Sequence, residues 1–171
     1  MTPRLWFAAG LALLAGVAVS VYLNSTPKED QQPVISLDQI KLLDLDGKEQ
    51  VFSQWQGKVL LINFWATWCA PCREEIPIFS SLRKKFSSAG FEVVGISIDD
   101  ISKVMQYRDS LHIDYTLLDG EKNGMSLMMS LGNRNGGLPY SVLYDRNGNA
   151  VNIKLGAYEH QELQSLIEKY L

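Results

Sequence analysis

The chain has 171 residues, which fits one ordinary domain with some additional terminal sequence. Its net charge of −3 and its 20% charged residues exclude nucleic-acid binders, which are usually strongly basic. Its two cysteines lie in one Cys-x-x-Cys sequence, so no other cysteine is available for a structural disulfide framework and apolar burial has to hold the core.

An uncharged apolar stretch occupies residues 5–23, directly after Arg4. A helix of about 20 apolar residues spans a bilayer core, and the positive-inside tendency places the rest of the chain outside the cytoplasm. We expect an anchor in a bacterial inner membrane, with the protein facing the periplasm or the cell exterior. The alternative is a cleaved signal peptide with Ala18 and Ser20 at its cleavage site, which would leave a soluble periplasmic protein.

Residues 24–33 are polar and contain two prolines, as in a short extended linker. Residues 34–171 are predicted to form one domain, in which hydrophobic periodicity and turn residues mark the elements. The nearly all-apolar stretch 59–65 is typical of a parallel strand buried on both faces, and Asn147-Gly148 predicts a hairpin turn. In chain order we predict a strand at 40–45, a helical turn at 53–57, a strand at 59–65, a helix at 70–87, a strand at 91–98, a helix at 101–112, a strand at 115–118, a helix at 125–131, strands at 140–144 and 150–155, and a helix at 160–170.

Strands and helices alternate in the first part of this domain, and a hairpin and one helix close it. This order predicts an α/β fold with a mixed central sheet flanked by helices on both faces, parallel at its centre and antiparallel at its edge. That is the arrangement of a thioredoxin-like fold, here with an N-terminal strand extension.

Cys69 and Cys72 lie where a buried strand meets the start of a helix. Unpaired backbone N–H groups and the positive end of the helix dipole favour the thiolate of Cys69, which we expect to attack a substrate disulfide. Cys72, one turn further in, is expected to be more buried and to displace the substrate. Pro71 suits the first turn of the helix, which has no intrahelical N–H bond to lose.

The cysteine pair has two other interpretations. A zinc site needs four ligands, and His112 and His160 follow the cysteines at no recognised spacing. A purely structural disulfide in so short a loop stabilises little, because its effect grows with loop length. We therefore predict a redox-active disulfide, with no metal and no other cofactor.

The sequence FWATWCAPCREEIP at residues 64–77 resembles the active-site sequence of thioredoxin-like proteins of the TlpA/ResA type and their CcmG relatives. The resemblance covers about residues 35–171 and implies an exported, often membrane-anchored thiol:disulfide reductase. It implies that Cys69 is the nucleophile and Cys72 the resolving thiol. Trp68 would then shield the dithiol and contact substrate, with Ala70 and Pro71 as structural support.

Gly137-Leu138-Pro139, just before a predicted strand, is a second match. The resemblance implies a cis peptide bond before Pro139, a position beside the two cysteines, and a backbone at Leu138 that binds an incoming substrate strand. The alternative is an ordinary loop proline that opens a strand.

Thioredoxins carry a buried Asp in the strand before the two cysteines, where this chain has Asn63, which cannot titrate. Glu75 lies three residues after Cys72 on the same helix face. In ResA-type proteins the matching Glu adjusts the cysteine pKa values and passes protons, so the resemblance implies that role for Glu75. The alternative is a solvated helix residue like its neighbour Glu74.

The segment 101–131 is longer than its counterpart in plain thioredoxin, and such a central insertion is typical of the TlpA/ResA group. Its four methionines could bind Cu(I) outside the cytoplasm, although Met is far more often a core filler. These methionines are Met105, Met125, Met128 and Met129.

The leading hypothesis is a reductase of protein disulfides that serves a dedicated partner, such as an apocytochrome c or a copper-site assembly protein, and takes electrons from a membrane donor. The alternatives are a disulfide-forming oxidase and a redox-inactive binding or chaperone module on the same fold. The intact Cys-x-x-Cys sequence argues against the module. A peroxiredoxin is disfavoured because the chain lacks the Pro/Thr-bearing motif of the peroxidatic cysteine.

Overall fold

The computed structural model describes residues 37–171. The predicted anchor, the predicted linker and the first three residues of the predicted domain lie outside the described residues. Within 37–171, no helix has the length and apolar character needed to cross a membrane.

Seven strands and four helices make up the described part of the chain. Short 3-10 turns at Leu37–Gln39, Phe52–Trp55 and Ser87–Ala89 connect some of them. The strands are β1 (Lys41–Asp44), β2 (Glu49–Val51), β3 (Val59–Trp65), β4 (Phe91–Ser97), β5 (Thr116–Asp119), β6 (Tyr140–Tyr144) and β7 (Ala150–Leu155), and the helices are α1 (Ala70–Phe86), α2 (Ile101–Leu111), α3 (Gly124–Ser130) and α4 (His160–Tyr170).

The strands form one mixed sheet in the order β2-β1-β5-β4-β3-β6-β7. The pairs β3–β4 and β4–β5 are parallel, whereas β1 and β2 on one flank and β6 and β7 on the other pair antiparallel. The mixed thioredoxin-like fold is therefore confirmed. The prediction of antiparallel pairing at one edge was incomplete, because β1 with β2 forms a second antiparallel flank.

The side chains of β3 alternate between two apolar layers, and every residue of β3 and β4 is buried. On one face Leu61 packs with residues of α1, α2 and α4, and on the other Ile62 packs with Phe52 and with Met128 of α3. The continuous apolar stretch at 59–65 thus has the cause that was predicted, a strand covered on both faces.

The ends of three neighbouring strands meet at one edge of the sheet. In the register of the sheet, Trp65 at the end of β3 lies opposite Ser97 at the end of β4, and Phe64 lies opposite Tyr140 at the start of β6. The loop from β3 to α1 is therefore flanked by the segment after β4 and by the segment before β6.

Candidate active site

Cys69 and Cys72 form a disulfide at the start of α1. Cys69 is the N-cap residue, and its Sγ accepts a hydrogen bond from the backbone N–H of Cys72 at 3.3 Å. Pro71 lies in the first helical turn, as predicted. Cys72 is completely buried, while Cys69 keeps 5% of its surface exposed, so Cys69 is the more accessible residue of the pair.

Trp68 projects into solvent next to Cys69, with 65% of its surface exposed. Most of its indole is therefore free to contact a substrate. That it binds substrate or shields the dithiol stays a prediction. Ala70, on the other side of Cys69, is also exposed.

The Leu138–Pro139 peptide bond is cis, as the resemblance implied. Pro139 directly precedes Tyr140, which pairs with Phe64, so it lies at the edge of the sheet where β3 ends. Leu138 packs against the core cluster that contains both cysteines. Among the described residues, neither its N–H nor its C=O makes a backbone hydrogen bond, which leaves both groups available to an incoming strand.

Glu75 is completely buried, one turn after Cys72 on α1, whereas Glu74 is exposed. The solvated alternative for Glu75 is therefore excluded. Burial raises the pKa of Glu75 to about 7, and hydrogen bonds from Tyr158 and Asn63 limit the rise, as does the positive charge of Lys154. A carboxyl group that titrates near neutral pH can both take up and release a proton under ordinary conditions.

Thr67, in the loop from β3 to α1, is held through all of its polar groups. Its N–H donates to Oδ2 of Asp99 at 3.2 Å, and its hydroxyl donates to the same oxygen. The guanidinium of Arg73 donates to the Thr67 carbonyl at 2.9 Å. These contacts fix the loop that carries Trp68 and Cys69.

Asp99 lies just beyond the end of β4 and is almost completely buried. Burial opposes its ionisation, but hydrogen bonds from Thr67 and Asp100 outweigh burial and lower its pKa. Sequence reasoning missed Asp99, Thr67 and Arg73. The available signal was the position of Asp99 after a parallel strand, because sites in such sheets lie at the carboxyl ends of the strands.

The four methionines of the insertion do not form one cluster. Met105 is on α2, which packs on the face of the sheet opposite to α3, and Met128 on α3 is buried in the core. Met125 and Met129 are exposed on α3. The structure thus does not bring all four methionines together in one site. Within residues 37–171, no group of three or more His, Cys, Asp or Glu side chains could hold a metal ion.

Comparison with known proteins gives consistent similarities over most of the chain. Residues 31–162 match the model of the AhpC/TSA family. The thiol-disulfide oxidoreductase ResA of Geobacillus kaustophilus is 25% identical over 160 residues, which cover 92% of this chain and 90% of that protein. The protein of the same name from Oceanobacillus iheyensis is 30% identical over 130 residues, or 71% of this chain and 67% of that protein. The crystal structure of a thiol:disulfide interchange protein of the thioredoxin family from Chlorobium tepidum has a TM-score of 0.69 at 26% identity, covering 79% of this chain and 94% of that one.

Proposed function

Because the chain belongs to the AhpC/TSA family and is a thioredoxin-like thiol-disulfide oxidoreductase of the ResA type, we propose that it reduces disulfides of a dedicated protein partner. The observation that carries this proposal is the placement of the cysteines. Cys69 caps α1 with a backbone N–H directed at its sulfur, and Cys72 is buried one turn behind it. Such a hydrogen bond and the helix dipole stabilise a thiolate on the more accessible sulfur.

The reaction starts from the reduced dithiol. The Cys69 thiolate attacks one sulfur of the substrate disulfide; a bond forms between them, the substrate S–S bond breaks, and the leaving thiolate takes a proton from water. Cys72 then gives its proton to the Glu75 carboxylate and attacks the Cys69 sulfur. This step forms the Cys69–Cys72 disulfide and releases the second substrate thiolate, so two electrons have passed to the substrate.

The surface around Cys69 supports a role in binding an extended substrate segment. Trp68 offers an exposed aromatic ring, and Leu138 offers backbone groups that are unpaired within the described part of the chain and can hydrogen-bond to a strand. Pro139 shapes the chain at this point, and Ala70 and Pro71 start the helix that holds the cysteines.

The partner and the location are further parts of the proposal. The uncharged stretch 5–23 supports anchoring in a bacterial inner membrane with the domain outside the cytoplasm. An apocytochrome c or a copper-site assembly protein as partner, and a membrane protein as electron donor, follow from the resemblance to TlpA/ResA proteins.

Trapping of partners tests the order of attack. Cys72→Ser should accumulate mixed disulfides through Cys69, while Cys69→Ser should trap nothing and should not reduce insulin disulfides. Equal trapping by both variants would contradict the assigned order, and no trapping by either would favour the redox-inactive module.

The reduction potential of the Cys69–Cys72 pair tests the direction of electron flow. A value near that of thioredoxin, about −270 mV, is expected for a reductase, whereas a value near about −120 mV would indicate the disulfide-forming oxidase.

A further inference from the structure

Among the described residues, the carboxyl group of Glu75 accepts two hydrogen bonds and donates none. Nδ2 of Asn63 donates to Oε1 at 2.7 Å, and the backbone N–H of Tyr158 donates to Oε2 at 3.2 Å. This arrangement suits the ionised carboxylate. A protonated carboxyl group has an O–H that needs an acceptor, and a buried O–H without one is costly. The protonated form of Glu75 therefore calls for a neighbouring acceptor.

Asn63 carries an acceptor in the right place. Its Nδ2 also donates to Oγ of Ser141 at 2.9 Å, while its Oδ1 is buried and has no hydrogen-bond partner among the described residues. A half-turn of the amide exchanges Nδ2 and Oδ1. Oδ1 then accepts from the Glu75 O–H and from the Ser141 hydroxyl, which can donate as well as accept. Both orientations keep two hydrogen bonds, and in both one end of the amide is unpaired.

We propose that Asn63 is the positioning residue for proton exchange at Glu75: its amide donates to the ionised carboxylate and turns to accept from the protonated one, while the Ser141 hydroxyl reverses its direction. The inference deepens the proposed function, in which Glu75 takes the proton of Cys72. The exchange of hydrogen bonds itself needs neither substrate nor a reduced dithiol, so it can be tested apart from that function.

The other titratable groups around Glu75 are not expected to cause the same change at Asn63 near pH 7. The ammonium group of Lys154 on β7 attracts the carboxylate and is bound to Glu162 at 2.6 Å. Burial raises the pKa of the phenols of Tyr115 and Tyr158, so both stay neutral near pH 7. The two cysteines on α1 itself are joined in the disulfide. In the oxidised protein, a change at Asn63 with a midpoint of about 7 that is lost in Glu75→Gln therefore reports on Glu75.

The direct test is the NMR signal of the Asn63 side-chain amide in the oxidised, detergent-solubilised full chain, assigned in the parent protein through its couplings to the Asn63 β and α carbons. We expect the signal to shift with one midpoint of about 7. Contacts from the amide protons to the Ser141 β protons should be present above the midpoint and lost below it. Glu74→Gln should preserve the titration and Glu75→Gln should abolish it. A signal that stays constant through the midpoint, or that titrates unchanged in Glu75→Gln, would overturn the proposal.

A second measurement follows the side-chain carboxyl carbon of Glu75 in Asn63→Leu. A hydrogen bond to a charged group is stronger than one to a neutral group, so losing the Asn63 contact should raise the Glu75 pKa by about one unit. An unchanged pKa in a folded variant would count against the proposal, and if the variant does not fold, the amide titration of the parent decides alone. Normal partner trapping together with a constant Asn63 signal would refute this inference and leave the proposed function intact.

Discussion

Replacing Glu75 by Gln should change how the stability of the oxidised protein depends on pH. Burial raises the pKa of Glu75 from 4.5 to about 7. Between these two values the folded protein holds a proton that the unfolded chain has already lost, so the free energy of unfolding falls as pH rises. This contribution is fully present below 4.5 and lost by about 7.

The size of the effect follows from the same two values. One pKa unit corresponds to about 1.4 kcal/mol, so the interval from 4.5 to about 7 corresponds to about 3 kcal/mol. The Glu75→Gln variant has no proton to lose there. Its stability relative to the parent should therefore rise by about 3 kcal/mol from acid pH to pH values above the midpoint.

Urea unfolding of both proteins at a series of pH values measures this difference. The carboxylates of Asp44, Asp99 and Asp145, whose pKa values are lowered, titrate on the acid side of the interval. They are common to both proteins, so their contributions cancel in the difference. Glu74→Gln, which changes an exposed charge on the same helix, should run parallel to the parent. Parallel curves for Glu75→Gln as well would refute the reasoning, because Glu75 would then titrate alike in the folded and unfolded protein.

Three further predictions concern activity and location. Glu75→Gln should lower a cysteine pKa, because it removes a negative charge near Cys72, and should nevertheless slow disulfide exchange near neutral pH. Thiol alkylation curves that overlay those of the parent and of Glu74→Gln would contradict the expected pKa change. Thr67→Ala should slow disulfide exchange about tenfold, because it loosens the loop from β3 to α1 that carries Cys69. Thr67→Ser should restore the parent rate, and equal rates for all three proteins would show that the hydroxyl has no positioning role. The protein should fractionate with membranes, with its domain accessible only from outside the cytoplasm, whereas a mature N-terminus near the end of residues 5–23 would indicate a cleaved signal.

Local sequence patterns predicted the strands and helices whose signal lies within the element itself. The apolar stretches 59–65 and 91–98 gave β3 and β4, with β4 ending one residue earlier, at Ser97. The strand β2 was missed because it has three residues, none of them buried. Without β2, the sequence offered no reason to expect a second antiparallel flank, which depends on the pairing of β1 with β2 and β5.

In the candidate site, too, the sequence predicted contacts between residues close in the chain and missed contacts between residues far apart in it. Cys69, Cys72 and Glu75 lie within seven consecutive residues at the start of one helix, so spacing alone predicted their proximity. The contacts of Thr67 with Asp99 and of Asn63 with Ser141 join residues 32 and 78 positions apart. These pairs meet because β4 and β6 are the two neighbours of β3 in the sheet, and strand order is not contained in the local pattern.

Asn63 and Glu75 are polar groups in a core that could have been apolar at both positions. Each satisfies part of the hydrogen bonding of the other, yet Oδ1 of Asn63 has no partner within residues 37–171 and the buried carboxyl group opposes folding above neutral pH. A well-packed apolar pair is often at least as stable as a buried polar one. Stability therefore does not account for this pair, whereas the role proposed for Glu75, as proton acceptor one turn behind Cys72, does. Departures from a locally optimal core are expected at functional sites, and this one lies directly behind the redox disulfide.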